Sequence, residues 1–214
     1  MLDSGTSNTR SAIVKTIAPS LAREIMGSNF LDLGPTFFRG IDLEYVRPNS
    51  QVPFSLETLE ACKDTHALVA VPGLSIRALR GLEPSKGLFH DQRLYEHDPV
   101  PPFLYNAGMA SWRLLRRGPL PGSLNATREQ QKALLTLSEQ ITNPRIVVYA
   151  LLASKWATGS WLWPAEENFR LRTRAITLLA MPVYVCLVDN TIRLNSWSRG
   201  DVGPTFGVAV ERIL

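Results

Sequence analysis

Residues 169–197 read FRLRTRAITLLAMPVYVCLVDNTIRLNSW. Arg170, Arg172 and Arg174 alternate with Phe169, Leu171, Thr173 and Ala175, the period-two pattern of a strand with one face on a core and the other cationic. Val183 to Val188 and Thr191 to Trp197 are apolar, β-branched runs separated by Asp189-Asn190, a pair whose length and chemistry suit a tight hairpin. With Phe169 to Leu179 and Thr205 to Ile213 they make four expected C-terminal strands. Hairpin connections imply a mostly antiparallel sheet.

Upstream of this sheet lie two expected helices. Thr127 and Gln130 fit a capping box, and Leu134, Leu137 and Ile141 space out a core face to about Thr142. Asn143 with Pro144 behind it starts a second helix, and Gly159 is placed to end it. The apolar stretch Ile146 to Trp163 approaches membrane-spanning length, but Lys155 near its centre and Gly159-Ser160 favour a buried soluble helix.

Before these, SLETLEACK has Ser55 as N-cap and Leu56, Leu59 and Cys62 on one face, ALVAV (67–71) suits a fully buried strand, and LSIRALRG is a further short helix. Trp112 and Leu114 mark a strand ahead of the turn region at Gly118–Gly122. Ile13, Ile17, Leu21 and Ile25 draw a helical stripe from Ser11 to Met26, with Pro19 kinking or dividing it. Residues 27–53 are loop-like, with Phe37 and Phe38 as plugs. The fold class expected is therefore α+β: a mostly antiparallel C-terminal sheet, two central helices and an irregular N-terminal arm. Residues 1–54 form the arm, packed on a single domain of residues 55–214.

The chain has 214 residues, 45% of them hydrophobic, enough to bury a sizeable core. No basic start, apolar stretch and cleavage site for export is legible, so a cytoplasmic setting is expected and the two cysteines, Cys62 and Cys186, are read as free buried thiols. Net charge is +4. Residues 99–174 carry ten basic side chains against four acidic ones, whereas the flanking parts are balanced. Of the 23 basic residues 18 are arginine, whose planar fork suits phosphate and carboxylate, although a GC-rich genome enriches arginine for codon reasons alone.

CKDTHALVAVPGLSIRALR (62–80), WRLLRR (112–117), EQQKALL (129–135) and PRIVVYALL with Thr158-Gly159 resemble, in order and spacing, a group of uncharacterised bacterial proteins. The resemblance spans roughly residues 55–160 and implies no activity. Members of that group end in an acidic, Asn-rich segment before a Val-Gly-Leu stretch; here SWSRGDVGPTFGVAV has Arg199 and a single Asp201, a departure that leaves the tail no implied anionic or metal-binding role.

Two function classes compete. The first is a non-enzymatic binding or interaction protein using Arg113, Arg116, Arg117, Arg170, Arg172 and Arg174 as a basic face for an acidic partner, nucleic acid or protein, with Trp161, Trp163 and Phe169 near enough to stack on bases. Against it stands a solvated sheet face whose arginines pair with Glu166 and Glu167, the tryptophans being core. The second is an enzyme or metal protein built on His90-Asp91 and His97-Asp98, imidazole and carboxylate pairs that can bind a metal or arrange a general base. Their spacing matches no established ligand pattern, and polar loop residues are the plain alternative. Cys62 with His66 is a weak nucleophile and base pair, and a neutral core histidine suffices for His66. No HExxH, CxxC, GxSxG or phosphate-loop motif is present, and no cofactor or membrane partner is expected.

Overall fold

The computed structural model describes residues 16–38, 48, 50–90, 101–177, 181–196 and 202–213. In chain order the elements are α1 Pro19–Met26, β1 Phe30–Leu31, α2 Gly34–Phe37, α3 Leu56–Cys62, β2 His66–Val71, α4 Ile76–Gly81, β3 Ser111–Arg116, α5 Arg128–Ala133, β4 Glu139–Ile141, α6 Pro144–Thr158, β5 Arg170–Ile176, β6 Pro182–Val188, β7 Thr191–Ser196, β8 Phe206–Val208 and β9 Val210–Arg212. They form an α+β fold with two sheets, ordered β1-β2-β3-β9-β4 and β7-β6-β5-β8. Neither sheet is purely antiparallel: β1 runs parallel to β2, and β8 parallel to β5.

The molecule is organised around α6. Asn143 caps it by accepting the Arg145 N–H at 2.9 Å, Pro144 occupies its first turn, and Gly159 closes it in the left-handed conformation at φ 76°. Its residues from Pro144 through Ser154 are all buried, so it is apolar around its whole circumference and needs cover on every side. That cover comes from one face of each sheet. Ala67, Val69, Val71 and Leu115 close one side, and Leu171, Val183, Val185, Leu187, Ile192 and Leu194 the other. No helix among the described residues is long and apolar enough to cross a membrane.

A second cluster fills the opposite face of the first sheet. Ala22 and Met26 of α1, Leu59 and Cys62 of α3, and Val52 and Phe54 pack there on Leu68, Ala70, Trp112 and Leu114. The N-terminal segment thus contributes a helix and a strand to the main body, and an Ile17–Val52 bridge ties its start. Pro19 neither kinks nor divides a longer helix: it is the first residue of α1, where its missing N–H costs nothing. Phe38 is buried against Tyr149, and Phe37 stacks on Trp156 with centroids 4.2 Å apart.

Two expectations fail. The helix from Thr127 starts with its capping box but stops at Ala133, and residues 139–141 pair with β9 as a strand. Leu137 is fully exposed, so the Leu134, Leu137, Ile141 spacing marks no buried face. Glu139 accepts from both the backbone N–H and the hydroxyl of Thr136, a local turn that competes with continuing the helix. Both expected helices are present, α5 shorter than its leucine spacing predicts and α6 in full. The strand expected over 205–213 is divided at Ala209, whose N–H donates to Arg172 in one sheet and whose carbonyl accepts from Thr142 beside the other. The hairpin is as expected, with Asp189 and Asn190 at φ 48° and 59°.

Candidate functional site

The structure does not assemble the six arginines on one face. Phe169, Leu171 and Ala175 pack on the α6 core as the alternation requires. On the other side of β5, Arg172 is only 5% exposed, aligned with Tyr184 and Val208. Burial lowers the proton affinity of its guanidinium, Arg128 adds to this and Glu129 opposes it. Arg170 lies over the Phe206 ring, 5.1 Å from its centroid, in a cross-strand row with Cys186 and Arg193. The triplet is thus interrupted at its middle member, because the outer face of β5 is covered by a small core of its own.

β3 divides its arginines as well. Arg116 is on the α1/α3 side, registered with His66, and Arg212 is on the same side with its guanidinium 3.5 Å from the Cys62 sulfur. Arg117, just past the strand, lines a cleft at the far end of α6. Arg113 points to the α6 side, and there the structure builds a cluster that the strand pattern did not announce.

Its centre is Glu211 of β9, which is completely buried. The β-register sets Glu211 opposite both Leu115 and Gln140, so it faces the N-terminal end of α6. Gln140 Nε2 donates to its Oε1 at 2.9 Å, and Arg113 Nη1 stands 3.5 Å from its Oε2. Burial pushes the carboxyl above its ordinary range, and Arg113, Gln140, Arg174 and the Thr142 hydroxyl pull the other way. Arg145, in the first turn of α6, is also buried, and its guanidinium donates to the Pro72 carbonyl. Burial, and after it the like charge of Arg113, lowers its proton affinity, with Glu211 opposing and Arg174 adding to the repulsion. Exposed Arg174 enters from β5, held by its N–H to the Thr142 carbonyl.

Three guanidiniums from three separate elements thus act on one carboxylate. Among the described residues positive charge exceeds negative there, and the N-terminal end of α6 adds its own positive potential. The backbone at Gly108 lies close over Arg145: a Cβ there would fall 2.5 Å from Arg145 Nη2. Sequence reasoning found Arg113 and Arg174 but missed Arg145 and Glu211. Asn143-Pro144-Arg145 at a helix start was the available signal for the first; nothing local distinguishes Glu211.

His90 is tied to β7 through its backbone N–H to the Ile192 carbonyl, whereas Asp91, His97 and Asp98 lie outside the described residues. Among the described residues no group of three or more His, Cys, Asp or Glu side chains gathers to hold a metal. Both thiols are free and buried, and burial raises that of Cys186 to about 11 against the opposing pull of Arg170 and Arg193. No family model matches the chain, and neither a curated protein nor a solved structure matches it.

Proposed function

We propose that this protein is a non-enzymatic binding protein whose partner presents an acidic group, carboxylate or phosphate, to Arg113, Arg145 and Arg174. The observation that carries the reading is the charge imbalance around Glu211: among the described residues three guanidiniums, one of them buried, share a single buried carboxylate. Burying cations is costly unless anions compensate them, and arginine's fork is suited to a second carboxylate or a phosphate oxygen. Arg174 is exposed and gives a partner its first contact. The two free, buried thiols support a reducing, cytoplasmic setting. Order and spacing of the four sequence strings support a place beside the uncharacterised bacterial group they resemble.

Arg174→Ala tests the reading without emptying a buried position. On immobilised single-stranded DNA and on immobilised poly-glutamate, the wild-type protein is retained and elutes with rising salt. Arg174→Ala lowers affinity for the bound polymer about tenfold and flattens the dependence of log affinity on log salt by about one. The control is Lys132→Ala, an exposed lysine on α5 whose loss changes the net charge equally. Equal retention of the two variants on both polymers overturns the proposal.

A further inference from the structure

The opposite end of α6 carries a different feature. Past Thr158 the chain turns through Gly159 and Ser160 into Trp161 and Trp163, and these face the Asp189-Asn190 hairpin and the end of β3 across a cleft of about 400 Å³. That volume lies in the range of small-molecule sites.

A helix C-terminus normally disfavours anions because its last carbonyls point outward. Here the Lys155 ammonium stands at that end and offsets its negative potential, and side chains occupy the two carbonyls just past the helix. Lys155 Nζ donates to the Gly159 carbonyl at 2.8 Å, and the Ser154 hydroxyl donates to the Ser160 carbonyl at 3.1 Å. Thr158 donates back to the Ser154 carbonyl. Cationic and N–H groups stand around these. Arg117 is exposed, and among the described side chains no carboxylate pairs with it. Lys155 brings a second positive charge, 5.4 Å from the centroid of the Trp161 ring. The Nε1 groups of Trp161 and Trp163 are buried in the wall with no acceptor among the described residues. Asn190 adds an amide from the hairpin.

Two cations at one cleft call for a ligand with anionic oxygen, and the half-buried Trp161 ring gives a planar group something to stack on. We propose that this cleft is a second binding site, for a small phosphorylated molecule with a planar ring, of mononucleotide size. Arg117 and Lys155 hold the phosphate, and Trp161 takes the ring. The site is independent of the cluster around Glu211, since it shares no residue with it.

AMP, adenosine and inorganic phosphate serve as probes, with indole fluorescence and titration calorimetry as readouts. The expected result is one AMP per chain with a fluorescence change, at least tenfold weaker binding of adenosine and of phosphate alone, and at least tenfold weaker AMP binding in Arg117→Ala. Trp161→Phe keeps AMP binding but removes most of the fluorescence change. Arg174→Ala leaves AMP affinity unchanged. No AMP binding, phosphate binding as tightly as AMP, wild-type affinity in Arg117→Ala, or a loss that follows Arg174 instead, each overturns the proposal. The last outcome would place the nucleotide at the Glu211 cluster and leave the first reading standing.

Discussion

Acidification from pH 7.5 to 4.5 should remove about 2.5 kcal/mol of stability through His66 alone. The ring is 4% exposed, Nδ1 stands 2.8 Å from the Thr65 hydroxyl, and Nε2 is buried with no hydrogen-bond partner among the described residues. Protonation would put a cation where no acceptor waits. Burial, then Arg116 and Arg212 on the same side of the sheet, lower its pKa to about 4, and Glu139 opposes them only weakly. In the unfolded chain the imidazole titrates near its ordinary value of about 6.5. Between these two values the unfolded state binds the proton and the folded state refuses it, so stability is complete above about pH 6.5 and drains away towards pH 4. At pH 4.5 the ratio of the two binding polynomials is about 80, which is the quoted energy. Glu211 has the opposite sign, since its folded pKa is raised and its protonation favours the native state as pH falls. Urea denaturation of wild type and His66→Asn at pH 7.5, 6 and 4.5 separates the two, because Glu211 and every other carboxylate are common to both proteins. The wild type should lose about 2.5 kcal/mol more than the variant over this interval. Parallel losses would refute the argument and place the neutral imidazole in a site that tolerates its charge.

Gly108→Ala should destabilise the fold by about 1–3 kcal/mol, as overpacking against Arg145 does, and weaken retention on single-stranded DNA. Combining it with Arg145→Met, which removes the guanidinium it strikes, should recover part of that cost in a double-mutant cycle; strict additivity of urea-derived stabilities would show that the two residues do not meet. Leu151→Ala, in the wholly buried stretch of α6, should cost about 2–5 kcal/mol by urea denaturation, and a loss below about 1 kcal/mol would contradict the placement of α6 between the two sheets.

Legibility in the sequence follows the range of the interaction concerned. The Ser55 cap, the Thr127–Gln130 capping box, the Asn143-Pro144 start and Gly159 end of α6, and the Asp189-Asn190 hairpin all involve groups within a few residues of each other. Their physics is complete inside a short window of text. The stretch 134–141 reads as helix because the spacing of its leucines is a local signal, whereas the hydrogen bonds that make 139–141 a strand come from β9, some seventy residues on.

The amino-acid sequence by itself determined the fold class, the buried β2, the central apolar helix and the existence of an arginine-rich middle section. Tertiary structure alone decided what those arginines touch. Arg172 disappears beneath the outer face of its own sheet, while Arg113 and Arg174, 61 positions apart by their numbers, meet the electrostatic field of one carboxylate from β9. The reason is that a strand's alternation fixes which side a residue faces but not what another part of the chain lays against that side. Burial and charge partners are properties of long-range register, and the Gln140–Glu211 and Arg145–Pro72 contacts, spanning 71 and 73 residues, exist only once the first sheet has assembled and α6 has packed on it.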